Sequence, residues 1–252
     1  MKPGEVDFYD HSYVKEQAPK WQRFLHTYFR SKIVGIENCP NTPFLAVGNH
    51  SGGIMIPDTL VWLSAYHNSN RTPPLLTLAH DGFFDMYPQK IKIWASKFGA
   101  VRAQEENALE GLRKGYAVQV YPGGDFDACR PFSMRNKIEF AGRKGYVELA
   151  KKAKVPIVPI VSHGAHSSLL ILRSGKRLAK MLGVDTSLRL KTFPISMSVP
   201  WGLWVGPLPG YIPLPTKITI EVCPPISFQG NIETIDRNVR TVMQSCLDRR
   251  CA

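Results

Sequence analysis

His50 stands where the apolar run Phe44-Leu45-Ala46-Val47-Gly48 passes through Asn49 into Ser51-Gly52-Gly53. A strand that breaks into a glycine-rich loop directly after Asn-His leaves an imidazole at a sheet edge. There a neutral ring near pH 7 can take a proton from a hydroxyl, the work of a general base. A histidine that merely caps a strand would look the same in isolation. Asp58, eight positions on, either curls back through the flexible glycines to orient the imidazole or sits in the first turn of a helix begun by Pro57, where a carboxylate suits the dipole. Two further loops carry chemistry, Tyr121-Pro122-Gly123-Gly124-Asp125 and Ser162-His163-Gly164-Ala165-His166. Glycine pairs leave backbone amides open to an anion or a carbonyl oxygen, although a tight turn needs them too. No Gly-x-Ser-x-Gly elbow is present, so Ser51 is not expected to be a nucleophile. His163 and His166 would suit a metal only if a carboxylate or a third histidine joined them, and no metal is expected.

The elements that must position these loops alternate along the chain. Strands are predicted at 44–47, 75–79, 117–121, 157–161 and 217–222, and helices at 57–66, 89–98, 105–114, 142–152 and 232–247. Such alternation specifies a single-domain α/β fold, a mixed, largely parallel sheet with helices on both faces. In open sheets of this kind the site lies beyond the carboxyl ends of the strands, so the three loops are expected to converge on one cleft. Ahead of the sheet, Trp21, Phe24, Leu25, Tyr28 and Phe29 share one helix face opposite Lys20, Arg23, His26 and Arg30. This basic amphipathic segment, residues 1–40, either packs on the catalytic domain of 41–252 or lies in a membrane interface.

A net charge of +12, from 32 Lys and Arg against 20 Asp and Glu, points to an anionic partner. The cations are spread out with no aromatic-interleaved run, which speaks against nucleic acid. Five widely spaced cysteines without a zinc-type pair, and a start lacking a basic-then-apolar leader, lead to the expectation of a cytoplasmic protein. The stretch from Phe193 to Pro215 carries no charge but six prolines, so it is read as loop or extended chain. With Trp201 and Trp204 it is apolar enough for a core or for the interfacial layer of a membrane.

Asn49-His50 with Asp58, then Phe98-Gly99-Ala100-Val101-Arg102, Tyr121-Pro122-Gly123-Gly124, and Val155-Pro156-Ile157-Val158-Pro159-Ile160 follow one another in the order of four sequence blocks. In these the chain resembles the lysophosphatidic acid acyltransferase-like (phospholipid/glycerol acyltransferase) superfamily, from about Phe44 to Ile226. The resemblance implies that His50 deprotonates an acceptor hydroxyl, which attacks the thioester of acyl-CoA or acyl carrier protein. It implies no cofactor beyond that co-substrate. It also implies that Arg102 contacts an acceptor phosphate, with Arg130 and Arg135 as further candidates for a phosphate or the CoA pyrophosphate. The chain departs from the family at two places. The spacing from His50 to Asp58 is longer than the usual His-x4-Asp, and Pro-Gly-Gly replaces Pro-Glu-Gly. Relatives with the second change acylate neutral mono- and diacylglycerol, and Asp127 falls at the acid position of their pattern.

The expectation is therefore an O-acyltransferase of the 1-acylglycerol-3-phosphate type or one taking a neutral acylglycerol, held peripherally on the cytoplasmic face of an anionic membrane. His50 and Asp58 would be catalytic, and Arg102, Gly123, Gly124, Asp125, Asp127 and Arg130 would bind substrate. A lipid-binding protein without activity and a thioester hydrolase are the alternatives.

Overall fold

The chain's computed structural model describes residues 2–183, 192–206 and 210–251. Its centre is β2 (Leu45–Gly48), whose residues are all buried. Alternate side chains leave a strand on opposite faces. Leu45 and Val47 accordingly join one apolar cluster, while Ala46, preceded by Phe44, joins the other. Parallel partners flank β2: β6 (Ile157–His163) on one side and β5 (Ala117–Val120) on the other, followed outward by β3 (Leu75–Ala79) and β4 (Ala100–Arg102). Beyond β6, β10 (Thr219–Val222) runs antiparallel and carries β1 (Lys32–Val34) parallel to itself, which completes seven strands.

One face is covered by α1 (His11–Phe29) and α2 (Pro57–Asn68), which bury Leu25, Phe29, Trp62 and Tyr66. The Asp10 carboxylate caps α1 by accepting the Tyr13 N–H at 2.9 Å, satisfying one of the donors a helix start leaves free. The other face is covered by α5 (Glu105–Arg113), α7 (Gly145–Ala153) and α9 (Ile232–Cys251). The short helices α3 (Asp81–Met86) and α4 (Gln89–Lys97) lie between β3 and β4 in sequence.

Residues 2–40 are thus built into the domain, with α1 packed on α2 and β1 hydrogen-bonded into the sheet. Of the aromatic face offered for lipid, Phe24 is exposed while Leu25 and Phe29 are in the core. The proline-rich stretch is also more ordered than loop. It contributes β8 (Ile195–Ser198) and β9 (Gly202–Val205), which pair antiparallel with each other and with β7 (Leu170–Arg173) in a second sheet. Pro194 precedes β8 and Pro200 lies in the turn between β8 and β9, outside both strands, where a missing N–H costs least. Pro207 and Pro209 fall outside the described residues. A helix α8 (Lys176–Met181) follows β7. Among the described residues no helix is long and apolar enough to cross a membrane.

Candidate active site

At the carboxyl end of β2 the buried Asn49 side chain extends the ladder to β6, donating to the Ser162 carbonyl at 2.9 Å and accepting the Ser162 N–H at 2.8 Å. This clamp fixes the backbone from which His50 projects. The next residues turn tightly, with Gly52, Gly53 and Ile56 all at positive φ around a short 3-10 turn at Gly53–Met55. A Cβ on Gly52 would stand 2.8 Å from the Ala165 carbonyl oxygen, so the loop tolerates only glycine there. The turn spends the extra residues between His50 and Asp58 and delivers the carboxylate, in the first turn of α2, to the imidazole. His50 Nδ1 lies 3.0 Å from Asp58 Oδ2. The same oxygen accepts the Ser51 N–H at 2.8 Å, and Oδ1 accepts the Thr59 N–H at 2.8 Å. Asp58 is 1% exposed and His50 14%. Held this way, the ring carries its proton on Nδ1 and leaves Nε2 as the basic nitrogen.

Burial by itself pushes the imidazole towards its neutral form, but the adjacent Asp58 carboxylate and, more weakly, Asp127 overcome it, so the His50 pKa lies above the ordinary value. The ring also stacks on Tyr121 with centroids 4.5 Å apart. Tyr121 opens the turn that leaves β5. Gly123 packs so closely that a Cβ would meet Asp127 Cβ at 2.4 Å and the Glu139 carbonyl oxygen at 2.5 Å. Gly124 takes φ 52° and ψ −132°, a conformation open in practice to glycine alone. Together they launch α6 (Asp125–Ala128) so that Asp127 tucks beneath His50 and accepts its backbone N–H. Arg130 answers the carboxylate, with Nη1 2.8 Å from Asp127 Oδ1. Burial still raises the Asp127 pKa to about 6, against the pull of Arg130. Arg130 further donates from Nε to His166 Nε2 at 3.1 Å and from Nη1 to the Lys137 carbonyl. Burial and the Arg130 charge hold His166 well below the usual imidazole range, so it stays a neutral acceptor.

The three loops therefore meet at His50, with Asp58, Tyr121, Asp127, Ser162 and His166 in one hydrogen-bonded and stacked assembly. Other predicted residues are placed differently. Arg130, proposed from sequence for a phosphate, is 2% exposed, ion-paired with Asp127 and hydrogen-bonded to His166 and the Lys137 carbonyl. Arg102 lies on β4, three strands from β2, and is paired with Asp81 at 3.2 Å and Asp85 at 2.9 Å. Asp125 faces Arg143 at 3.6 Å. Gly123 and Gly124 shape the turn. Arg143, not singled out from sequence, donates to the Pro122 and Gly123 carbonyls at 3.1 and 3.0 Å and so clamps that turn. Its position eighteen or more residues past the turn offered no signal. Tyr121 was legible as part of its block but not as the stacking platform. His163 half-lines a polar cavity with Ser51, Arg135 and Asn136, while His166 gives Nε2 to Arg130. The described residues with metal-ligand spacing are Glu221 on β10, Cys223 just after it and Cys246 on α9. Glu221 is there paired with Arg249 and Arg250, cations that oppose a metal ion.

Comparison with known proteins agrees with this architecture. The acyltransferase family model matches residues 30–163. An uncharacterized protein of Mycobacterium tuberculosis is 30% identical over 209 residues, 82% of this chain and 55% of that protein. A mouse protein described as a DGAT1/2-independent enzyme synthesizing storage lipids is 27% identical over 168 residues, 67% of this chain and 49% of its own length. The chain spans about half the length of these curated relatives. The crystal structure of the 1-acyl-sn-glycerophosphate (LPA) acyltransferase PlsC from Thermotoga maritima superposes with a TM-score of 0.61 at 18% identity, covering 96% of this chain and 81% of that one. The family match over more than half the sequence establishes that this chain belongs to the acyltransferase family, and its parallel sheet and converging loops share the fold of that solved structure.

Proposed function

We propose that the protein transfers an acyl chain from a thioester, acyl-CoA or acyl carrier protein, to a hydroxyl of a neutral glycerolipid. The observation that carries the reading is the His50–Asp58 pair, which leaves Nε2 to accept the hydroxyl proton. The acceptor oxygen attacks the thioester carbonyl as its proton passes to Nε2. Collapse of the tetrahedral intermediate breaks the C–S bond, and the departing thiolate takes the proton back from the imidazolium. Asp58 holds the tautomer and stabilises the transient cation. Asp127, Arg130 and His166 are positioning residues that fix the backbone at His50.

An apolar pocket supports a fatty chain as the transferred group. It begins at Ile56 and Thr59, on either side of Asp58, and runs between α1, α2 and α4 past Leu25, Leu63, Trp94 and Phe98. A neutral acceptor is favoured because Arg102, the residue a phosphate would need, is already paired with two carboxylates. The storage-lipid description of the mouse relative agrees with it.

The test is thiol release from a long-chain acyl-CoA with monoacylglycerol, diacylglycerol or lysophosphatidic acid as acceptor, wild type beside His50→Ala. Release should require a neutral acylglycerol, and the variant should fall by about 10²–10⁴-fold while remaining folded. Equal release without acceptor would make the protein a hydrolase.

A further inference from the structure

The second sheet, β7-β8-β9, is amphipathic in the reverse sense to a soluble one. Ser196 and Ser198 of β8 face inward and are buried, and among the described residues their Oγ atoms have no hydrogen-bond partner. Met197, Val199, Leu203 and Val205 face outward and are exposed, Leu203 at 63%. Pairing locks this arrangement, with Met197 opposite Leu203 and Ile195 opposite Val205. A shift of one residue in register would exchange the two faces and bury the apolar set. The fold instead keeps buried hydroxyls and shows water a row of aliphatic side chains, extended by exposed Trp201, Ile212 and Leu214.

We propose that this face is a docking surface for an anionic lipid bilayer. Charge complementarity selects that occupant. Residues 170–183 contain no acid, and Arg173 at the end of β7 is exposed, as are Lys176, Arg177 and Lys180 after it, interspersed with exposed Leu172, Met181 and Leu182. Cations bordering an apolar face match headgroup phosphates bordering acyl chains. Trp201 adds a ring of the kind that settles at such a boundary, paired with Trp204 at 5.9 Å. A second copy of the chain is the wrong occupant, because a two-fold interface would set this cationic border against itself. The sheet is also tied to the catalytic loop. Tyr211 donates its hydroxyl to the Gly52 carbonyl and accepts the Met55 N–H at 3.3 Å, and Met55 and Trp204 both pack against the buried cluster that includes Leu169, Ile171 and Tyr211. A bilayer seated here lies next to the loop that carries His50. The inference deepens the acyltransferase reading by giving its lipid substrate a route, and rests on that reading for this consequence alone.

The test is flotation of the full chain with vesicles of phosphatidylcholine, pure or with about one-third phosphatidylglycerol. The variants are Leu203→Glu and the double change Arg177→Glu/Lys180→Glu, all at exposed positions. Wild type should bind the anionic vesicles at least about tenfold more tightly than the neutral ones, and each variant should lose about tenfold or more of that affinity. Thiol release from a short-chain, monomeric acyl-CoA with a soluble acceptor should be unchanged in them, and thermal melts should match wild type. His50→Ala should bind vesicles like wild type. Vesicle binding that is absent in wild type or untouched by both variants would overturn the docking surface, as would a dimer in sedimentation that Leu203→Glu dissociates. Vesicle binding without thiol release would overturn the acyltransferase reading and leave the surface standing.

Discussion

His50 is asked to be neutral before turnover and to become a cation during it, and its neighbours bear on both demands. Burial favours the neutral ring, whereas Asp58 and Asp127 favour the charged one, with a net rise in pKa. Only the neutral form accepts the hydroxyl proton, so kcat/KM should climb with pH along an acid limb centred above the ordinary imidazole value of about 6.5. Asp58→Asn keeps an oxygen for Nδ1–H but removes the charge. Burial then acts with less opposition, and the acid limb should move to lower pH while the plateau falls by roughly 10²–10⁴-fold. A pH-rate profile of the two proteins decides this, and an unmoved limb would remove Asp58 from the control of His50.

At the scale of elements, the site depends on two turns that put carboxylates under one imidazole. The Gly52-Gly53 loop delivers Asp58, and the Gly123-Gly124 turn delivers Asp127. Gly123→Ala would drive a methyl group into Asp127 Cβ and the Glu139 carbonyl, neither of which is the free end of a flexible chain. Urea unfolding should show a loss of about 1–3 kcal/mol, with turnover reduced as Asp127 is displaced. Gly145→Ala is the contrast. Gly145 starts α7 and meets nothing within 4 Å, so the change should be neutral or stabilise by up to about 1 kcal/mol. Equal losses in the two variants would contradict the close-packing account of the Pro-Gly-Gly turn.

At the scale of the whole molecule, the amino-terminal helix and the sheet enclose a cavity that neither builds alone. Trp21 and Leu25 of α1 face Leu60 and Leu63 of α2 and Trp94 of α4 across the apolar pocket. If a fatty chain fills it, Leu63→Trp should shorten the chain accepted. Each methylene excluded forfeits about 0.8 kcal/mol, so kcat/KM for long-chain acyl-CoA should drop by about tenfold or more relative to a short-chain donor. Thiol release across a chain-length series measures this, and an unchanged profile would place the acyl chain elsewhere.

The order of strands and helices was legible in local sequence, because a period of two or 3.6 residues and the glycine breaks are written in neighbouring positions. So were the family blocks and the candidacy of His50. Short edge strands such as β1 and β4 were not, since three residues carry too little pattern. Whether Asp58 met His50 depended on the path of the turn between them, braced by Ala165 and Ser168, groups the loop meets only in the folded chain. The commitment of Arg102 to Asp81 and Asp85, and of Arg130 to Asp127, likewise hung on packing between elements. A sequence specifies which side chains can donate, accept or carry charge. Which partner each one finds is decided by distances that exist only once the sheet has brought its strand ends together.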